Sequence, residues 1–325
     1  MLKKRFIRTT ITIRDEKKIF VSKDGRFDGK VTMRQDFKVK AFVNIGASGL
    51  HTAEIKLYNL TDATTKAIEE QSTLVLLEAG WEDSYGRLFE GRISSVGRTK
   101  PTVSNADIVT TLYCVSGIEK LQLDAFGETV RSESLRSFLS RMADRLDLFL
   151  SIDSAVQGNI IDMSFNGDVI SVVRDLATEF NFDFYMTQTS LVVKAIDLEE
   201  LTKLGDKIKT YDPTKGLLDI PVVTELGIDL KVFLDPFLNP GDWFLLSSKF
   251  ANFNIGNLEF IDRVRGQQFK TFGRQVNNNR YQGDYRALEI LHFGSSHEDS
   301  WESLIKGQGL YNINNINKIK RLGIS

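Results

Sequence analysis

The chain has 325 residues, room for two or three domains at ~100–200 residues each. Hydrophobic residues make up 42% and charged residues 26%, which excludes collagen, coiled coil and wholesale disorder. Lys+Arg 42 against Asp+Glu 43 leave a net charge of −1, so no whole-chain electrostatic case for nucleic acid or a membrane surface exists.

Residues 5–125 read as β. Ile7, Ile11 and Ile13 fall at even spacing, the period-2 signal of a half-buried strand. Phe37, Val39, Ala41 and Val43 repeat it, as do Ala53, Ile55 and Leu57. Strands follow at 74–81, 87–96 and 110–123, separated by the turn-forming clusters KDGRFDG, IGASG, WEDSYG and KPTVSN. One helix interrupts at 61–71, capped by Thr61 or Asp62. This spacing of strands predicts a barrel or sandwich. The first 40 residues carry thirteen Lys/Arg and five Asp/Glu, a local net of +8. Because the charges alternate with Phe6, Ile7, Ile11, Ile13, Phe20 and Val21, they are expected on the wet face of strands; a docking face for an acidic neighbour or polyphosphate is the other reading.

The period changes at 126–200. Leu135, Phe138, Leu139, Met142, Leu146 and Phe149 form one helical stripe, with Ser132 as its expected cap. A strand at 160–165 leads to Asp168, the expected cap of a second helix with Ile170, Val173, Leu176, Ala177 and Phe180 on one side. A hairpin turning at Gln188-Thr189 completes a small α/β module of net charge −5 over 126–209. A polar connector runs to about residue 216.

Residues 217–295 return to β. Strands are predicted at 227–234, 243–248 and in QFKTFG and YRALEILHFG, with Asn-rich loops between them over 250–283. In NPGD, Pro240 presets φ for the first central position and Gly241 tolerates positive φ at the second, predicting a type II turn. WESLI reads as a short helix, and the tail over 310–325 is weakly patterned. The fold class is therefore mainly β with an α/β insert: a first β domain over 1–125, a small α/β domain with connector over 126–209, a second β domain over 210–295 and a tail over 296–325.

Chemistry-bearing motifs are sparse. The phosphate-loop, dinucleotide, nucleophile-elbow and zincin patterns do not occur. The single cysteine, Cys114, lies in the alternating run TLYCVSG and reads as a small buried apolar residue. His292 with His297, Glu298 and Asp299 lacks a helix-face ligand spacing and reads as a polar loop. No catalytic, cofactor or metal residue is assigned. No apolar run approaches the ~20 residues of a membrane span, and MLKKRFIRTTITIRD lacks the apolar centre of a secretory signal, so a reducing cytoplasm is the expected folding compartment.

Three stretches carry a resemblance. AEIKLYNLTDATTKAIEEQSTLVLLEAGW followed by RLFEGRISSV resembles the first barrel of bacteriophage baseplate hub proteins, with Asn59, Leu60, Thr61, Ala79, Gly80, Trp81, Phe89, Gly91 and Ile93 at the matching positions. TELGIDLKVFLDPFLNPGDWFLLSS is similar to the second half of the same family through Gly227, Leu234, Pro236, Leu238, Pro240 and Gly241. The closing YRALEILHFGSSHEDSWESL matches at His292, Gly294 and Trp301. The family is also similar to hub parts of contractile injection systems. The resemblance implies two tail-tube-like β-barrel domains per chain and a homotrimeric ring. Such a ring adapts a hexameric tail tube to a trimeric central spike, contacts other baseplate components and passes genomic DNA along its axis without specific binding. It implies a structural virion protein without cofactors, assembled in the host cytoplasm. A tail-associated cell-wall hydrolase and a carbohydrate- or nucleic-acid-binding module are the alternatives. If a channel exists, its lining is expected to lack a continuous Lys/Arg surface, placing the basic first 40 residues elsewhere.

Overall fold

The computed structural model describes residues 4–23, 33–43, 50–100, 107–117, 126–196, 208–224, 227–253 and 283–309. The first region contains β1 (Arg5–Ile13), β2 (Glu16–Lys23), β3 (Gln35–Phe42), β4 (Thr52–Tyr58), α1 (Asp62–Gln71), β5 (Ser72–Trp81), β6 (Ser84–Thr99) and β7 (Val109–Val115). All its pairs are antiparallel, in the order β3-β4-β7-β6-β5-β1-β2. The alternating residues of the sequence all turn inward: Ile7, Ile11, Val39, Ile55, Leu57, Val75 and Leu77 fill one core with Ile68 of α1. Thr61 caps α1, its side chain accepting from the Thr64 N–H at 3.2 Å. Cys114 lies in this core, and burial pushes its thiol up to about 12. The β1–β2 hairpin turns on Arg14 and Asp15, both with positive φ, the backbone a two-residue turn needs to match strand twist.

The middle region contains β8 (Phe126–Ser134), α2 (Leu135–Arg145), β9 (Phe149–Ile152), β10 (Asn159–Gly167), α3 (Val169–Phe180), β11 (Phe182–Met186) and β12 (Ser190–Ala195). β8 pairs with β10, and β11-β12-β9 form a second small sheet in which β9 and β12 are parallel. Both helices bury their apolar stripes in a separate core. Asp168 caps α3 as expected, accepting the Ser171 N–H at 2.9 Å. Two expectations need correction. Ser134, not Ser132, caps α2, because Ser132 is engaged opposite Ile161 in the β8–β10 ladder. Phe149 is not on the helical stripe: Asp147 takes a left-handed φ of 52°, the helix stops, and Phe149 stands exposed on β9.

The last region contains β13 (Lys209–Tyr211), β14 (Val222–Val223), β15 (Gly227–Phe233), β16 (Trp243–Leu246), β17 (Asn252–Phe253), β18 (Gly283–Ser295) and β19 (Trp301–Gly309). A third core gathers Tyr211, Ile228, Leu230, Val232, Phe244, Leu246, Ile290 and Ile305. The segment expected as a helix from WESLI is strand β19, paired with both β15 and β18. Trp301, Ser303 and Ile305 alternate inward, and five residues are too few for a 3.6 period to be told from 2. The strand expected in QFKTFG, most of the Asn-rich stretch, the far end of the 110–123 strand and the tail over 310–325 lie outside the described residues.

The two β regions are not separate sheets. Residues Gly283–Arg286 of β18 pair with β16, whereas Glu289–Ser295 pair with β3 of the first region, and β19 follows the opposite edge. One fourteen-stranded sheet results, running from β17 to β2. Leu234 and Trp301, late in the chain, pack into the first core.

Candidate functional site

The segment between β15 and β16 builds the site where the three regions meet. Asn239, Pro240, Gly241 and Asp242 form the expected type II turn, with Gly241 at φ 85° and the Asp242 N–H on the Asn239 carbonyl at 3.1 Å. Two backbone hydrogen bonds to Ala287 pin the turn on β18: Gly241 N–H donates to its carbonyl at 2.7 Å, and its N–H donates to the Asp242 carbonyl at 2.9 Å. A Cβ on Gly241 would lie 2.7 Å from Cγ of Lys194, so glycine serves the conformation and the close approach together.

Charge locks the α/β module to this turn. Lys194 of β12 donates to Asp242 at 3.0 Å and stands 3.7 Å from Asp153. Arg286 of β18, wholly buried, pairs through Nη1 with Asp183 of β11. A buried guanidinium is tolerable only with such a carboxylate beside it.

A second polar chain starts at Asp235, also buried. Its carboxylate accepts the Tyr211 hydroxyl, the Lys209 ammonium and the Phe237 N–H, the last at 3.1 Å. Burial, reinforced by Asp235, holds the Tyr211 phenol well above its usual range. The Asp235 N–H donates to Ser303 Oγ at 3.1 Å, and Ser303 Oγ lies 2.7 Å from His292 Nδ1. Ser303 Oγ thus links the Asp235 backbone to the His292 ring. Burial lowers His292 to about 4, opposed by Asp235 and aided by His51.

Between these networks lies a cavity of about 350 Å³. His51, Phe89, Glu90 and Ser116 line it from the first region, Tyr185, Thr187 and Lys194 from the α/β module, and Pro236, Pro240 and His292 from the last. His51 stacks on Tyr185, ring centroids 5.0 Å apart, and burial lowers it to about 4.

The residues singled out in the sequence thus fall into several separate places. Phe89, Pro236, Pro240 and His292 converge on the cavity, with Gly241 behind it. Trp81 and Trp301 meet at 6.0 Å in an aromatic cluster with Phe37 and Phe233 that joins the first and last segments. Gly80 and Gly91 serve close strand packing, a Cβ at either falling 2.6 Å from a neighbouring carbonyl oxygen. Asn59, Leu60 and Thr61 lie apart, at the start of α1. Asn59 takes φ 58° and ties down the strand opposite through Asp107 and the Ile108 N–H, both at 2.9 Å. His297, Glu298 and Asp299 are exposed on a loop away from His292's partners. Among the described residues no three of His, Cys, Asp and Glu converge as a metal donor set, and no helix is long and apolar enough to cross a membrane.

The sequence reading missed His51, Tyr185, Asp183, Lys194 and Arg286. None sits in a local motif, and only their partners, a hundred residues away for Arg286 and Asp183, give them meaning.

The fold is that of phage tail proteins. It is similar to a tail protein from Neisseria meningitidis MC58, at TM-score 0.52 and 8% identity, covering 94% of this chain and 97% of that one. It is also similar to the 43 kDa tail protein of prophage MuSo2 from Shewanella oneidensis, at TM-score 0.50 and 7% identity, covering 94% and 98%. No curated protein sequence matches the chain. The model of the family described as baseplate hub gp41 matches residues 7–271, and the chain belongs to that family. Membership gives it a place in the virion tail, in association with other tail components.

Proposed function

We propose that the protein is a non-catalytic baseplate hub, a homotrimeric ring that adapts a hexameric tail tube to a trimeric central spike and leaves an axial channel for DNA. The observation that carries this reading is the presence of two β cores in one chain, joined by β18. Each would act as a tube-like barrel unit, so three chains present six docking positions. Closed cyclic symmetry then leaves a hole on the axis.

The outer face of the shared sheet suits a channel lining. One cross-strand row runs Phe233, Glu302, Phe293, Lys38, Glu54, Tyr113. Its carboxylates sit beside lysines: Lys231–Glu302 at 2.8 Å, Lys56–Glu54 at 3.3 Å, and Glu289 between Lys306 at 3.4 Å and Lys40 at 3.6 Å. Such a surface offers DNA little phosphate binding to retard it. The basic segment is partly satisfied at home. Arg8 makes a bidentate pair with Glu78 at 2.6 and 2.7 Å, Arg34 pairs with Glu298 at 2.9 Å, and Arg5 donates to backbone carbonyls at the end of β18 and in the loop after it. We place that segment on the outer wall, and assembly in the host cytoplasm, with no cofactor.

Solution mass together with a low-resolution image tests the proposal. The expected result is three chains in a ring with a central hole. A monomer at micromolar concentration that also fails to assemble with tube and spike proteins would overturn it.

A further inference from the structure

We propose that the seam where the three regions meet is an acid-opened joint, with His51 and His292 as its two proton acceptors. This goes beyond the hub reading and does not depend on it.

The two rings face the seam cavity from different β regions. His51 is one of the residues through which the first region touches the α/β module: it stacks on Tyr185, and its neighbour Leu50 bridges to Met186 of β11. His292 holds the last region's side, through Ser303 and the backbone of Asp235. Both line one cavity, and each belongs to a different β region.

Both rings are buried, so a second proton on either is costly. His51 has a backbone hydrogen bond with Phe42, while its buried Nε2 has no partner among the described residues. Neutral, that nitrogen is only an unused acceptor. Protonated, it is a buried charged donor facing no acceptor among the described residues, which is the costlier state. At His292, itself buried, Nδ1 meets a Ser303 hydroxyl that already accepts from the Asp235 N–H.

Asp235 offsets part of the cost at His292, and the other charged groups around the cavity are already paired. Arg87 and Glu90 of β6 are paired at 2.7 Å, and Lys194 of β12 is engaged with Asp242 and Asp153. Arg286 of β18 is paired with Asp183, and Asp235 with Lys209. Tyr185 of β11 faces His51 as a neutral phenol. Two charged histidines would therefore repel each other across a cavity whose carboxylates are taken.

The direction follows from linkage. Both folded-state values, about 4, lie below the ordinary 6.5 of an exposed histidine. The stabilisation is full above pH 6.5, declines as unfolded or opened states take up protons, and is spent near pH 4. Contacts at the seam break before the three apolar cores, which carry no such groups.

The test is an acid titration of the full chain, read by histidine ring NMR and by hydrogen exchange at the Leu50–Met186 bridge and the Ser116 amide. The expected result is that both rings stay neutral through pH 6. Seam amides then lose protection at a higher pH than amides of the α/β core. His51→Phe, which keeps the stacked ring, and His292→Asn, whose amide can still hydrogen-bond Ser303, each move seam opening to lower pH. A ring assigned to His51 or His292 that titrates near 6.5 in the folded wild type overturns the proposal without any variant. So does a seam that opens only with the cores, or at the same pH in both variants.

Discussion

The two β regions build their cores by different means. The first uses long strands of seven to sixteen residues whose alternating apolar residues meet across six antiparallel pairings. The last has strands of two to four residues at β13, β14, β16 and β17, and its ladder leans on β15, β18 and β19. What its short strands cannot supply in cross-strand contact comes from buried polar anchors, Arg286 with Asp183 and Asp235 with Tyr211 and Lys209. Repeated pairs of modest strength can be lost singly. A few buried ions cannot, because removing one partner strands the other.

That contrast sets the expected order of damage. Arg286→Ala leaves Asp183 without its cation and should cost about 3–5 kcal/mol in denaturant unfolding, with Trp243 fluorescence reporting loss of order in the last region. If the loss stays under about 1 kcal/mol, the anchor view of that region fails. Trp301→Ala tests the reverse dependence. It sits on the last strand but fills the first core, and its loss should cost about 3–5 kcal/mol, with amides of β1 and β5 losing exchange protection. Protection lost only in β15 and β18 would show the first region to be self-sufficient. Gly241→Val asks for a left-handed backbone and room beside Lys194; a cost of about 1–3 kcal/mol in thermal unfolding is expected, and Gly241→Ala should be milder. Thr61→Ala removes a single helix cap from the first region and should cost about 1 kcal/mol, without change in the last region's exchange pattern.

The same contrast explains what was legible in the sequence. Alternation announces a strand only where it persists, so β1, β3, β4, β5 and β6 could be read from their own residues, as could both amphipathic helices and the cap at Asp168. Pro240-Gly241 was legible because φ is written into those two residue types. β19 was misread as a helix because its alternation is polar on one face and short. The Arg14-Asp15 turn carried no Asn-Gly or Asp-Gly to mark it. The β3–β18 pairing joins segments some 250 residues apart, and register at that distance leaves no local trace. Of the cavity, only the residues already conspicuous by type, Pro236, Pro240 and His292 among them, could be singled out. That they face His51 and Tyr185 is a fact of packing.

The double pairing of β18 also decides how thrust passes through the molecule. Its first four paired residues belong to one region's ladder and its last seven to the other's, along one unbroken strand whose irregularity against β19 falls between Ala287 and Glu289. Drawing the two β regions apart therefore does not bend a linker. It must shear a row of backbone hydrogen bonds while β19 still grips the far edge. A push on one region arrives at the other through covalent bonds and a loaded ladder, with no slack to take up first.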